Sequence, residues 1–411
     1  MKKRICQIML IACIFLVGMQ AMAQEVEQYG LERNMPVFYE NLKGAAVNTM
    51  SYDQLCKRYK GKKALRQAVM QTMQVAPPAP EGYDYKVTAV EQRDGYVAQS
   101  IEFGINKWER VKAYLLVPEA KEGKHPALLM LHDHGAHFTI GKEKMVRPIL
   151  SKNPADSIAM HRDSIMRADA EAWIAACYDG VYVGDELAKA GYVVLSIDAL
   201  FWGDRAPKEM AECYAKGMTT KEVNKAVYDR QQALASNMLQ MGTSWGAWIT
   251  WDDMRAAAFL AHLPMVDGKR VGCLGFSMGA YRSWMLAALS DDIKASASVC
   301  WMNDTAHLMS LTNNQNKGGS AFSMLIPGIR NVADYPQVAA LAAPKAALFF
   351  NGKRDKLFPV DGVEASYGVM QQAWASQKAA DRLTTKLWDE KHFFNKAMQA
   401  EVIGFFDKWL K

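Results

Sequence analysis

The stretch Val271-Gly272-Cys273-Leu274-Gly275-Phe276-Ser277-Met278-Gly279-Ala280 decides how this chain reads. A short apolar run leads into Gly-x-Ser-x-Gly and then into a helix-like segment, Ser283–Leu289. Strand, serine, helix is the order that a nucleophilic serine on a tight strand-to-helix turn requires. Glycines two residues to either side remove side chains that would collide with neighbouring backbone. The helix that starts after Ser277 aims free N–H groups at any negative charge formed there. Context carries more weight than spacing, because Gly242-Thr243-Ser244-Trp245-Gly246 is a second match. No apolar strand leads into it, and it opens a helix around Trp251-Asp252-Asp253-Met254-Arg255, so capping or helix packing accounts for it. Ser277 is the candidate nucleophile.

Working outward, short apolar runs alternate with helix-like stretches. Ala127–Leu131, Tyr192–Ile197, Val271–Gly275, Ala295–Trp301, Ala346–Phe350 and Leu383–Trp388 read as buried strands. Trp251–Leu263, Val363–Ala380 and Asn395–Leu410 read as helices between or after them. Such alternation predicts an α/β fold with a mostly parallel sheet covered on both faces. Ahead of it, Tyr85–Val90, Tyr96–Phe103 and Val111–Val117 are short and β-rich, with Asp94-Gly95 as a hairpin turn. Two connections, Thr139–Asp185 and Phe201–Trp248, are too long for plain loops and are expected to be helical insertions that shape a substrate site. Residues 24–76 look helical, with Leu55, Tyr59, Leu65, Val69 and Met73 near helical spacing. Pro77-Pro78-Ala79-Pro80 then breaks the helix. The expected division is a leader at 1–23, an N-terminal helical extension at 24–80 and a catalytic domain at 81–411.

A serine hydroxyl near neutral pH needs a base held by a carboxylate. In folds built around this turn, the acid and then the histidine follow the serine. Only His307 and His392 lie downstream of Ser277. His392 sits just after the last strand and before the last helix, where a base loop belongs. The acid should close the preceding strand, which makes Asp355 the first choice; Asp304 is the alternative and Asp361 a helix-capping third. An oxyanion hole needs two backbone donors. Met278 N–H is one, and the turn His132-Asp133-His134-Gly135-Ala136-His137 should supply the other, with His134 first and Gly135 second. That turn nearly spells the H-x-H-x-D-H of binuclear zinc hydrolases. Ala136 stands where the carboxylate would be, so no metal ligands are expected, and one histidine buttressing the turn is the simpler reading.

Composition narrows the class. The chain has 411 residues, 50% hydrophobic and 22% charged, which suits a globular protein. Met1-Lys2-Lys3-Arg4, the apolar run Ile8–Val17 and Ala21-Met22-Ala23 form an export signal, and the run is too short for a membrane span. Its removal leaves 46 basic and 43 acidic residues, a balance that gives no support for nucleic-acid binding. Cys56, Cys177, Cys213, Cys273 and Cys300 then remain, an odd set without paired spacing, which argues against a disulfide framework or a zinc site. Cys273 and Cys300 read as buried thiols. The protein is expected outside the cytoplasm, periplasmic or secreted.

Over roughly residues 85–411 the chain resembles the α/β-hydrolase superfamily. Leu131-His132-Asp133-His134-Gly135-Ala136-His137-Phe138, Asp198-Ala199-Leu200-Phe201-Trp202-Gly203-Asp204-Arg205 and Trp251–Arg255 are similar to bacterial acetyl xylan esterase and dienelactone hydrolase-like proteins. The resemblance implies an eight-stranded sheet, no cofactor, and ester hydrolysis through an acyl-enzyme. Dienelactone hydrolases use cysteine where Ser277 stands. The substrate implied is a small-molecule or oligosaccharide ester, with Trp202, Tyr281 and Trp301 as pocket-lining candidates or ordinary core. Two other readings remain at this stage, a serine peptidase related to prolyl oligopeptidases and a catalytically silent binding protein. Residues 24–84 are too short for the propeller that gates such peptidases.

Overall fold

Each apolar run becomes a strand, because a segment buried on both faces needs apolar residues at every position. The computed structural model describes residues 50–119, 123–150, 157–308 and 322–411. The expected leader 1–23 and residues 24–49 of the expected extension lie outside the described residues. The strands are β1 (Tyr85–Arg93), β2 (Tyr96–Gly104), β3 (Arg110–Pro118), β4 (His125–Leu131), β5 (Val193–Ile197), β6 (Val266–Phe276), β7 (Ala295–Val299), β8 (Ala346–Gly352) and β9 (Leu383–Trp388). They form one sheet in the order β1-β2-β3-β5-β4-β6-β7-β8-β9. It has nine strands rather than the eight expected of the family. The hairpin turn Asp94-Gly95, with Gly95 at φ +82°, joins the edge strand β1 to β2 in two residues, so an edge strand is added by a short turn alone.

The first three strands and the β3–β5 pair are antiparallel; every other pair is parallel. Period-two alternation divides each buried strand between two cores. Leu129, Leu131, Leu195, Ile197, Cys273 and Phe349 face one of them, and Leu128, Met130, Val194, Leu274, Phe276 and Leu348 face the other.

The labelled helices are α1 (Tyr52–Arg58), α2 (Lys62–Thr72), α3 (Ser157–Cys177), α4 (Val183–Lys189), α5 (Lys208–Ala215), α6 (Thr220–Tyr228), α7 (Gln231–Gln240), α8 (Trp245–His262), α9 (Met278–Leu289), α10 (Val360–Ser376) and α11 (Lys396–Leu410). The two long connections are helical, α3–α4 in the first and α5–α8 in the second. In α1 and α2 the residues Leu55, Leu65 and Val69 are fully buried in the same core as α8 and α9. No helix among the described residues is long and apolar enough to cross a membrane.

The chain leaves β4 toward β5 on one side and leaves the adjacent β6 toward β7 on the other, so these two neighbouring strands send it in opposite directions. That reversal opens a crevice at the carboxyl ends of the strands, where ligands bind in open α/β sheets. Both the Ser277 turn and the histidine-rich turn emerge there.

Candidate active site

Ser277 follows β6 with φ 55° and ψ −124°, a conformation costly for a residue with a side chain. The surroundings impose it. The Ser277 N–H donates to the Val299 carbonyl at 2.8 Å, and α9 starts at the next residue. A Cβ on Gly275 would overlap the Gly279 carbonyl, and one on Gly279 would overlap the Leu131 carbonyl. Both flanking glycines are therefore required by close backbone approach, as the sequence spacing implies.

Three side chains from three strand ends meet at this turn. His392 Nε2 lies 2.9 Å from Ser277 Oγ. His392 Nδ1 lies 2.6 Å from Asp355 Oδ2. The second Asp355 oxygen accepts the Leu357 N–H at 2.9 Å, and the carboxylate is wholly buried while His392 is 23% exposed. Asp304, the alternative acid, instead pairs with His307 at 2.7 Å. Ser244 caps α8, accepting the Ala247 N–H at 3.2 Å, and Gly246 packs against the Leu325 backbone.

The turn after β4 is held from one side. Lys144, fully buried, donates to the carbonyls of Asp133 at 3.1 Å and His134 at 2.8 Å. In a trans peptide the N–H points opposite the carbonyl, so the His134 and Gly135 N–H groups both face away from Lys144. Neither they nor the Met278 N–H has an acceptor among the described residues, whereas the Ala136 N–H donates to His134 Nδ1 at 3.0 Å. Burial pushes His132 well below the usual histidine range, so its ring is neutral. Its Nε2 accepts the Ala199 N–H at 2.9 Å. Burial likewise lowers His134 to about 4. The nitrogens that a metal would need on His132 and His134 are thus engaged in bracing the turn.

Among the described residues, Cys300, Asp355 and His392 also bring ligand-type atoms within 4.8 Å of one another. Burial raises the Cys300 thiol, and the other two already bond each other at 2.6 Å.

Trp202, Tyr281 and Trp301 are at most 2% exposed. Trp202 packs between His134, Phe138 and Trp245. Tyr281 and Trp301 belong to a ring cluster with Trp284 and Tyr335. In this structure all three are core, and none offers an open ring face. A cavity of about 960 Å³ opens elsewhere, between β1–β3 and α3, lined by residues such as Lys112, Tyr114, Arg147 and Tyr214. Its lining includes none of Ser277, Asp355 and His392, so this cavity lies apart from that constellation.

One set of residues went unread in the sequence. Arg282, in α9, makes two bonds to Asp253 of α8 at 2.9 and 2.7 Å and a third to the His132 carbonyl at 3.3 Å. Both side chains are at most 2% exposed. The pair ties the helix behind Ser277 to the turn after β4. Charges inside otherwise apolar helices were the available signal. Removing one partner leaves a buried charge unpaired, so Asp253→Ala is expected to cost about 3–5 kcal/mol, read as a lower urea midpoint.

YtaP of Bacillus subtilis (strain 168), provisionally described as a hydrolase, is 26% identical over 322 residues, 78% of this chain and 91% of YtaP. Among solved structures, BF1801 of Bacteroides fragilis, provisionally assigned as an acetyl xylan esterase, superposes with TM-score 0.58 at 17% identity, covering 86% of this chain and 81% of that one. A glucuronoyl esterase from Solibacter usitatus gives TM-score 0.54 at 14% identity over 83% of this chain and 91% of its own. Those likenesses concern the fold. The Abhydrolase family model matches residues 47–381, and with a sheet and turn of this form the chain belongs to that family of α/β hydrolases.

Proposed function

We propose that the protein is an exported serine esterase that cleaves carboxylic esters of carbohydrates, of the acetyl xylan type, through an acyl-enzyme. The observation that carries this reading is the line from Ser277 Oγ to His392 Nε2 and from His392 Nδ1 to Asp355, set on the strained turn. His392 takes the serine proton as Oγ attacks the ester carbonyl. Met278 and His134 N–H groups receive the developing oxyanion. His392 then protonates the leaving alcohol, and a water activated by the same imidazole releases the acid. Asp355 holds the proton of the neutral imidazole on Nδ1, which leaves Nε2 free to accept. The carbohydrate part rests on likeness to BF1801 and the Solibacter esterase, and the export part on residues 1–23.

The test is a serine-directed fluorophosphonate, with hydrolysis of an aryl acetate and of acetylated xylan measured with chelator present. The expected result is one adduct, mapped to the peptide containing Ser277, and acetate released from both substrates. An adduct on another residue, or activity lost to chelator alone, would overturn the reading.

A further inference from the structure

A second imidazole held by a buried carboxylate stands on the turn after β4. His137 Nδ1 lies 2.5 Å from Asp169 Oδ1, and the His137 side chain is 33% exposed while that of Asp169 is 3%. Asp169, in α3, is itself fixed. Its other oxygen accepts the Thr139 hydroxyl and the Asn224 amide, and Asn224 turns its own oxygen to the backbone N–H groups of Phe138 and Thr139. Burial works against the Asp169 charge, yet the bonds from His137, Thr139 and Asn224 hold its pKa below the usual carboxylate range. The imidazole also rests on the Trp173 ring, 4.6 Å between centroids. Trp173 is anchored in turn by its indole N–H on Asp133 at 3.1 Å.

Burying a carboxylate is costly unless it is bonded, and here the burial serves to aim a surface side chain. A histidine that merely fills space needs no such support. With Nδ1 committed to Asp169, Nε2 is the free atom, and it has no partner among the described residues. The position relates this atom to the reacting centre. A Cβ on Gly135 would stand 2.6 Å from the Trp173 ring, so the wall that carries His137 touches the turn bearing the His134 N–H. The same helix α3 ends against the base loop, where the Cys177 carbonyl accepts the Phe394 N–H at 2.9 Å. Its neighbour Tyr178 packs on Phe276, which packs on His392. In the reaction proposed above, His392 hands its proton to the leaving alcohol, so the alcohol lies along this flank.

We infer that His137 is a substrate-contacting residue whose Nε2 hydrogen-bonds a hydroxyl of the alcohol moiety, and hence that the enzyme selects hydroxylated, sugar-like alcohols. A hydroxyl both donates and accepts, which matches the imidazole whether Nε2 carries a proton or not. The inference rests on the esterase reading for the direction of the alcohol, and its test has a readout that needs no turnover.

Binding of an acetylated xylo-oligosaccharide is measured calorimetrically on Ser277→Ala protein, with and without His137→Ala. Loss of one hydrogen bond is expected to weaken binding about tenfold. In the Ser277 enzyme, His137→Ala should lower the ratio of kcat/KM for the sugar ester to that for an aryl acetate about tenfold, mainly through KM. His137→Gln, which keeps a hydrogen-bonding end group, should recover part of the loss. Equal sugar affinity with and without His137, no sugar binding at all, or an unchanged substrate ratio would each overturn the inference. Failure of the wild-type protein to cleave the aryl ester would instead count against the esterase reading, with the calorimetric comparison still deciding the role of His137.

Discussion

Replacing Ser277 with alanine is expected to lower kcat for ester hydrolysis by about 10⁶-fold, the size of effect seen when the nucleophile of such a relay is removed. The fold should survive. Ser277 Oγ has His392 Nε2 as its partner, and His392 is partly exposed, so the imidazole can turn its free nitrogen to water. No buried polar group is left unsatisfied, which is the usual source of a large stability loss. The backbone strain at φ 55° is also the same for alanine as for serine, both having a Cβ. The thermal midpoint should therefore move by no more than a few degrees while the rate collapses. The measurement is aryl acetate hydrolysis with chelator present, beside a melting curve of the same preparation. An unchanged rate would remove Ser277 from the chemistry. Ser244 would not inherit the role easily, since its hydroxyl caps α8.

The parts of this molecule that were legible in the sequence are those fixed by local sterics and by burial. A strand buried on both faces must be apolar throughout, so Ala127–Leu131 and Ala346–Phe350 announce themselves. A serine forced to positive φ between two backbones requires glycine on either side, so the 271–280 stretch carries its own geometry. Chain order proposes His392 and Asp355 as base and acid, and the structure sets them at 2.6 Å from each other. The family's strand number was short by one, although the apolar and β-rich segments already covered all nine.

What the sequence hid depends on contacts between distant segments. Arg282 meets Asp253 across 29 positions and the His132 carbonyl across 150. His137 meets Asp169 across 32. A charge inside an apolar helix signals a partner without naming it. Trp202, Tyr281 and Trp301 illustrate a choice that sequence leaves open. Aromatic residues near strand ends suit a sugar pocket and a core equally well, and only packing decides; here Trp202 packs on His134, Phe138 and Trp245, and Tyr281 packs on Trp301. The histidine cluster shows the same limit. Its zinc-like spacing is accounted for by three separate bonding patterns, with His132 and His134 bracing the turn and His137 aimed outward by a carboxylate 32 residues away.

Asp355→Asn should cost about 10⁴-fold in kcat, by the same logic that makes the buried acid of a serine relay set the tautomer of its histidine. The Asp355 carboxylate is buried and accepts two bonds, from His392 Nδ1–H at 2.6 Å and from the Leu357 N–H at 2.9 Å. An amide cannot accept at both ends. If its NH₂ faces Leu357, two donors oppose each other in a site without water access. If its NH₂ faces His392, Nδ1 must become the acceptor and the ring proton moves to Nε2, toward Ser277. The imidazole then cannot take the serine proton, although every heavy atom stays in place. Asp304→Asn supplies the comparison, because Asp304 orients His307 rather than His392, and its kcat should change less than tenfold. Measured side by side on an aryl acetate, the two variants separate the acids that the sequence left in competition. A 10⁴-fold loss at Asp304 with little change at Asp355 would transfer the role one strand earlier. The expected contrast would instead tie the rate to the 2.6 Å bond between Asp355 and His392.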